Sequence, residues 1–272
     1  MVAAPVLWSS AGVVTRHLER AQPFEQVFWR SLFAFLFVLI CVRKSPFKAG
    51  WPGLFSAAMW AVMFTAFVIA LSMTTVANAL IVMSVSPLLT ALLSLIFLKE
   101  PISARTWIAT AAAGAGIAWM SYDGLEGGHL PGMLVALLIP IAAASNLIVL
   151  RRAAAKADLV PAVMLGGLAS CVIALPLALP FQATGRDLLW LAFLGVFQLG
   201  LPCMLLVIAS RTLSAPEIAL LALLEVVLGP LWAWLGAGET PTSATLYGGA
   251  VVLAALVLNE IRAMREKSAA AG

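Results

Sequence analysis

Residues 209–239 read ASRTLSAPEIALLALLEVVLGPLWAWLGAGE. From Leu213 to Ala237 this is a long apolar run with Glu225 near its middle, the most deeply placed acidic residue in any run of the chain. A bilayer span needs roughly 20 mostly apolar residues. A charge at its centre costs about 2.5–3.5 kcal/mol on insertion scales and is held only where it faces a bundle interior or a water-filled cavity. The stretch therefore predicts a membrane helix whose carboxyl faces a polar site at mid-depth.

The rest of the chain is built the same way. Of 272 residues, 63% are hydrophobic and 10% charged, against about 45–50% and 25% in a soluble domain. The surplus apolar surface requires lipid. The net charge of +4 is no nucleic-acid signal, because the basic residues lie in short clusters between apolar runs. Cys41, Cys171 and Cys203 lie in or at the ends of such runs and are odd in number, so they read as apolar packing residues and not as a disulfide framework. The first run, Val2 to Val14, lacks a basic segment before it and reads as a short spanning helix, not a cleaved signal.

Runs between punctuating residues predict ten helices, at about 2–16, 24–42, 51–72, 75–98, 104–121, 130–150, 161–180, 187–209, 214–237 and 243–261. Pro87, Pro140, Pro202 and Pro230 fall inside them and invite kinks. With both termini cytoplasmic, the inner segments carry twelve basic residues (Arg43, Lys44, Lys48, Lys99, Arg105, Arg151, Arg152, Lys156, Arg211, Arg262, Arg265 and Lys267) and the outer ones three, Arg16, Arg20 and Arg186. That bias follows the positive-inside rule. The loop 122–129 contains no Lys or Arg, as an outer loop should.

The quoted stretch also has an internal counterpart. Residues 70–100, ALSMTTVANALIVMSVSPLLTALLSLIFLKE, align on 209–239 without gaps at an offset of 139. Glu100 pairs with Glu239, Asn78 with Glu217, Ser86 with Glu225, and Pro87 with Val226. Each terminal Glu precedes a proline-containing turn and a new helix. Five helices per half is odd, so the two halves insert in opposite orientations. Inverted repeats with a site at their interface are a recurring secondary-transporter design. The expected organisation is an all-α integral membrane protein, with ten helices as two inverted five-helix repeats around a central cavity. The repeats are placed at 1–121 and 130–261, followed by a basic cytoplasmic tail, 262–272.

The stretch 75–119, TVANALIVMSVSPLLTALLSLIFLKEPISARTWIATAAAGAGIAW, resembles the fourth and fifth helices of the EamA-type drug/metabolite transporter superfamily. Residues 222–249, ALLEVVLGPLWAWLGAGETPTSATLYGG, resemble its ninth and tenth. Trp8-Ser9 and Arg30 fit as well, and the resemblance spans essentially the whole chain. The family often has Glu-Pro where this chain has Glu225-Val226, a departure that predicts a straighter helix nine than helix four. The resemblance implies a cavity surrounded by helices one to four and six to nine, with five and ten outside it. It further implies ATP-independent export of amino acids and related metabolites, in a bacterial cytoplasmic (inner) membrane. The aromatic-amino-acid exporter branch is one this chain is similar to.

Glu225 either carries a coupling proton, since desolvation favours a neutral carboxyl, or is a structural partner of Arg30. Arg30 either meets a substrate carboxylate, pairs with Glu225, or snorkels outward. Asn78 and Ser86 share a face of helix four, with Asn78 alternatively a cap. Trp8, Ser9, Ser10, Trp60, Phe64, Ser145, Asn146 and Gln198 complete the expected substrate-binding set, because aromatic faces beside hydroxyl and amide groups suit a ligand of amino-acid size. Trp51, Trp107 and Trp190 lie near helix ends as interface anchors. Gly114, Gly116, Gly248 and Gly249 read as helix-packing residues.

No phosphate-binding Gly-x4-Gly-Lys-[Ser/Thr] loop, metal-ligand spacing or nucleophile–base set is present in the sequence. The expectation is a non-enzyme with no cofactor or metal, whose partners are a small-molecule substrate and the lipid bilayer, not nucleic acid; the residues do not speak to oligomeric state. A membrane-embedded enzyme on lipid or isoprenoid substrates would need clustered titratable groups at the membrane surface. A channel would show rings of polar residues. Nucleosides, sugars or lipophilic drugs remain alternative cargoes.

Overall fold

The computed structural model describes residues 1–42, 50–74, 76–99, 101–120, 130–238, 240 and 242–271. The described residues form helices and no strand. The basic residues Arg43, Lys44 and Lys48, the loop 122–129, and Glu100, Glu239 and Pro241 lie outside the described residues.

The first expected span is two short helices, α1 (Ala3–Trp8) and α2 (Ala11–Thr15). They part at Ser9 and Ser10, whose hydroxyls donate to the carbonyls of Val6 and Leu7, both at 2.7 Å. Hydroxyls that bond back to their own helix in this way bend or break it. Then come α3 (Pro23–Cys41) and α4 (Gly50–Met73). The fourth expected span consists of α5 (Val76–Met83), α6 (Ser86–Leu93) and a π-helical turn, Ser94–Leu98. Next are α7 (Ala104–Met120), α8 (Leu130–Ala153) and α9 (Val160–Ala178). The eighth span combines α10 (Gly185–Phe193), a π-helical stretch Leu194–Gly200, and α11 (Leu201–Ala209). The ninth is α12 (Ala215–Ala222) and α13 (Leu224–Ala237). The last, α14 (Ser243–Ala271), continues as helix through the stretch expected as a tail.

Six of these units are long and apolar enough to cross a membrane: Pro23–Cys41, Gly50–Met73, Leu130–Ala153, Val160–Ala178, Gly185–Ala209 and Ala215–Gly236. Their outward faces carry exposed apolar side chains such as Ile40 at 82% and Leu189 at 74%, which suits lipid contact. The remaining elements are shorter or interrupted.

Proline acts differently from place to place. Pro87 and Pro202 open new helical segments, where a missing N–H is harmless. Pro140 and Pro230 sit inside unbroken helices. The expected ninth span is interrupted at the single residue Leu223, the position that the 139-residue offset maps onto Ser84, whereas the fourth is interrupted over two residues, Ser84 and Val85. No proline is needed there: Val226 N–H donates to Leu223 O at 3.0 Å, a tight three-residue bond. Val226 is buried in a cluster with Ile117, Leu220 and Val252.

Packing is close where glycine permits it. A Cβ on Gly166 of α9 would stand 2.4 Å from Trp60 Cβ, and one on Gly195 would stand 2.6 Å from the Arg30 carbonyl. A Cβ on Gly116 of α7 would meet Gly248 O of α14 at 2.8 Å, so that pair of glycines does pack helices; Gly114 meets nothing within 4 Å. α3 lies along α9 and α7 along α14. Ser31 Oγ donates to Ser170 Oγ at 3.1 Å, and these two residues are 139 apart.

Candidate functional site

Between these helices lies a cavity of about 560 Å³, within the usual range of roughly 300–1,000 Å³ for small-molecule sites. Its rim includes the exposed residues Arg16, at the end of α2, and Thr240 and Thr242, before α14. Its floor includes Leu147, Leu206 and Ile218. Below them Leu150, Val207 and Ala215 close the core.

Nine of the twelve expected residues line the cavity: Trp8, Ser9, Arg30, Trp60, Phe64, Ser86, Asn146, Gln198 and Glu225. Three do not. Ser10 spends its hydroxyl on Leu7 O, within its own turn. Asn78 is 1% exposed and donates to Thr74 Oγ1 at 3.1 Å, so its amide serves the start of α5. Ser145 neighbours Asn146 and is turned about 100° away on a helix of 3.6 residues per turn.

Arg30 and Glu225 form no ion pair. Arg30 is 3% exposed, donates from Nη2 to Phe64 O at 3.1 Å, and lies 5.7 Å from the centroid of the Phe67 ring. Neither outward snorkelling nor pairing with Glu225 describes it. It is a cation pinned to α4 in the cavity wall. Glu225, in the first turn of α13, lines the cavity and makes no hydrogen bond among the described residues. Asn146 Oδ1 accepts from Ser56 Oγ at 2.7 Å. Ser9 Oγ accepts from Trp232 Nε1 at 2.8 Å, which ties the break between α1 and α2 to α13.

Several lining residues were missed in the sequence. Phe67 follows Trp60 by seven positions and Phe64 by three, a helical stripe that periodicity could have extended. Cys203 lines the cavity while being 1% exposed; nothing in its neighbours marks it. Glu25 and Asp187 were also missed. Both are fully buried. Glu25 accepts from the backbone N–H groups of Gln182 and Ala183, and from Trp29 Nε1. Asp187 accepts from the N–H groups of Glu19, Arg20 and Thr184. Each carboxylate stitches a loop to a helix start near the cavity rim.

Residues 1–122 and 130–260 match the EamA-like transporter family. This chain belongs to that family. It is therefore a multi-pass membrane protein of a transporter family. S-adenosylmethionine uptake transporters of Rickettsia bellii and Rickettsia felis are 26% and 25% identical to it, over 95% of this chain and 92% and 91% of theirs. A protein of known crystal structure overlays with a TM-score of 0.83 at 18% identity, covering 97% of this chain and 96% of that one. That overlay shows a shared fold. The family supports transport; an amino-acid cargo is not among what the relatives' names say.

Proposed function

We propose that this chain is a secondary transporter that exports small amino-acid-like metabolites, without ATP, by alternating access. On this reading ten helices form two inverted repeats, 1–121 and 130–261, with both termini in the cytoplasm of a bacterial cell. The observation that carries it is the cavity of a transporter-family member. Its wall holds one cation, Arg30, and one anion, Glu225, which are not consumed by each other, beside the rings of Trp8, Trp60 and Phe64. The Ser31–Ser170 bond and the packing of α3 on α9 and α7 on α14 support the repeats, because elements on a two-fold axis touch their own counterparts. The twelve-to-three basic bias supports the orientation.

A second reading, uptake of S-adenosylmethionine, is favoured by the names of the two Rickettsia relatives. Both cargoes carry the same α-amino-acid head group. Counterflow in proteoliposomes separates them: labelled aromatic amino acids, or labelled S-adenosylmethionine, should exchange with no nucleotide present. No flux above empty liposomes for either would refute the cargo class.

Glu225 is the proposed coupling site. Glu225→Gln keeps the shape and removes the titratable proton. Exchange should persist while net flux loses its response to an imposed pH gradient. An unchanged response would leave Glu225 a structural role.

A further inference from the structure

The cavity contains a corner of unmet hydrogen bonds. Arg30 Nε, Trp60 Nε1 and Gln198 Oε1 are buried and have no hydrogen-bond partner among the described residues. All three residues line the cavity and are at most 5% exposed. Buried polar atoms are almost always paired, because an unpaired one forfeits its hydration with nothing in return. Three such atoms on residues that line one cavity call for a partner from outside the protein.

The scaffold holds them tightly. Trp60 is wedged against Gly166, where no Cβ fits, and its ring lies 5.6 Å from that of Phe64. Gly195, three residues before Gln198, sits on the carbonyl of Arg30 itself. Gln198 lies in the π-helical stretch Leu194–Gly200. The extra residue in a π turn re-aims the side chains after it, and such turns recur at functional sites. Arg30 and Gln198 therefore project from backbones in direct contact.

Two of the unmet atoms are N–H donors, one of them on a cation, and the third is an acceptor. An α-amino acid presents the complement on a single carbon: a carboxylate that accepts and an ammonium that donates. We propose that Arg30, Trp60 and Gln198 form one subsite that reads the whole α-amino-acid head group. Arg30 Nε–H and Trp60 Nε1–H donate to the carboxylate, and Gln198 Oε1 accepts from the ammonium. The head group then does not bridge Arg30 and Glu225, and Glu225 is left free to carry a proton. This assignment rests on the proposed cargo class and specifies how it is recognised. The chemistry is common to a free aromatic amino acid and to the methionyl end of S-adenosylmethionine.

The test is competition against counterflow by the wild type, Trp60→Phe and Gln198→Leu, with a separate arm for each cargo. In the first arm, labelled phenylalanine competes with phenethylamine, which lacks the carboxylate, and with 3-phenylpropionate, which lacks the ammonium. In the second, labelled S-adenosylmethionine competes with 5′-methylthioadenosine, which lacks the head group. The wild type should prefer the complete head group by about tenfold or more. Trp60→Phe should lose preference for phenylalanine over phenethylamine, and Gln198→Leu its preference over 3-phenylpropionate, while each variant still binds the truncated compound as the wild type does. A misfolded variant would lose both, so the truncated compound reports folding; the less bulky change Gln198→Glu then serves in its place and should still accept the ammonium. Wild-type binding that ignores the head group, or variants that weaken complete and truncated compounds equally, would overturn the subsite while leaving the transport function standing. Failure of both labelled cargoes would instead overturn the cargo class, and the subsite with it.

Discussion

α6 packs against α12 at the closed end of the bundle. At an offset of 139 residues their counterparts are α13 and α5. Those two both line the cavity: Glu225, Gly229 and Pro230 on α13, Ala79 and Met83 on α5. One sequence relation thus yields a contact at one end and a gap at the other. On the proposed cycle the two ends exchange roles, and the fastenings at each end decide how easily. At the rim, the buried carboxylates Glu25 and Asp187 hold loops by several backbone bonds each. At the closed end two of the polar links reach the surface. Arg211 pairs with Asp158 at 2.8 Å, with side chains 43% and 33% exposed. Arg151 reaches the carbonyls of Ser210 and Arg211 at 3.5 and 3.4 Å. The two buried carboxylates thus have no counterpart in the exposed Arg211–Asp158 pair.

The largest effect is expected at the rim. Asp187→Ala leaves three backbone N–H groups unanswered, those of Glu19, Arg20 and Thr184, and so breaks the carboxylate half of the capping box while the backbone bond to Thr184 Oγ1 stays. With each bond to a charged group worth about 1.5–3 kcal/mol, the loss should be about 3 kcal/mol or more. Thermal unfolding in detergent measures it. A shift of under one degree would mean that the rim is not fastened by this carboxylate.

An intermediate effect tests the two interrupted spans. Val226→Pro restores the family's pattern in the ninth. In an ordinary helix interior proline costs about 3 kcal/mol or more. Here the helix is already interrupted, so the backbone loses one bond, from Val226 N–H to Leu223 O, and the side chain part of its packing. The cost should be about 1–2 kcal/mol, below the interior penalty; a full interior penalty would show that the two interruptions are not equivalent.

The smallest effect is expected at the closed end. Arg211→Ala removes a surface ion pair and should cost under about 1 kcal/mol, screened further by salt. Its readout is conformational. A cysteine at Ile218, otherwise buried, should react faster with a soluble thiol reagent in the Arg211→Ala background. Equal rates would mean that apolar packing alone keeps this end shut.

Much of this molecule is local, and local properties can be read along a chain. Hydropathy reports lipid and a carboxyl at mid-span reports a cavity, because each depends on composition over one helix length. Nine expected residues reached the cavity on that basis. Asn78, Ser10 and Ser145 did not, since a short polar side chain can satisfy itself within its own turn and leave no trace of this in composition. The tertiary structure alone decided the rest. It interrupted the helix of 215–237 at Leu223, beside the buried Val226, with no proline at that point to announce it. It kept Arg30 and Glu225 apart although their charges invited a pair. It also brought Gln198, Trp60 and Arg30, from three different helices, to the lining of one cavity. The rotation of one helix against its neighbours is set by side-chain packing between distant segments, and no periodicity within a single segment records that angle.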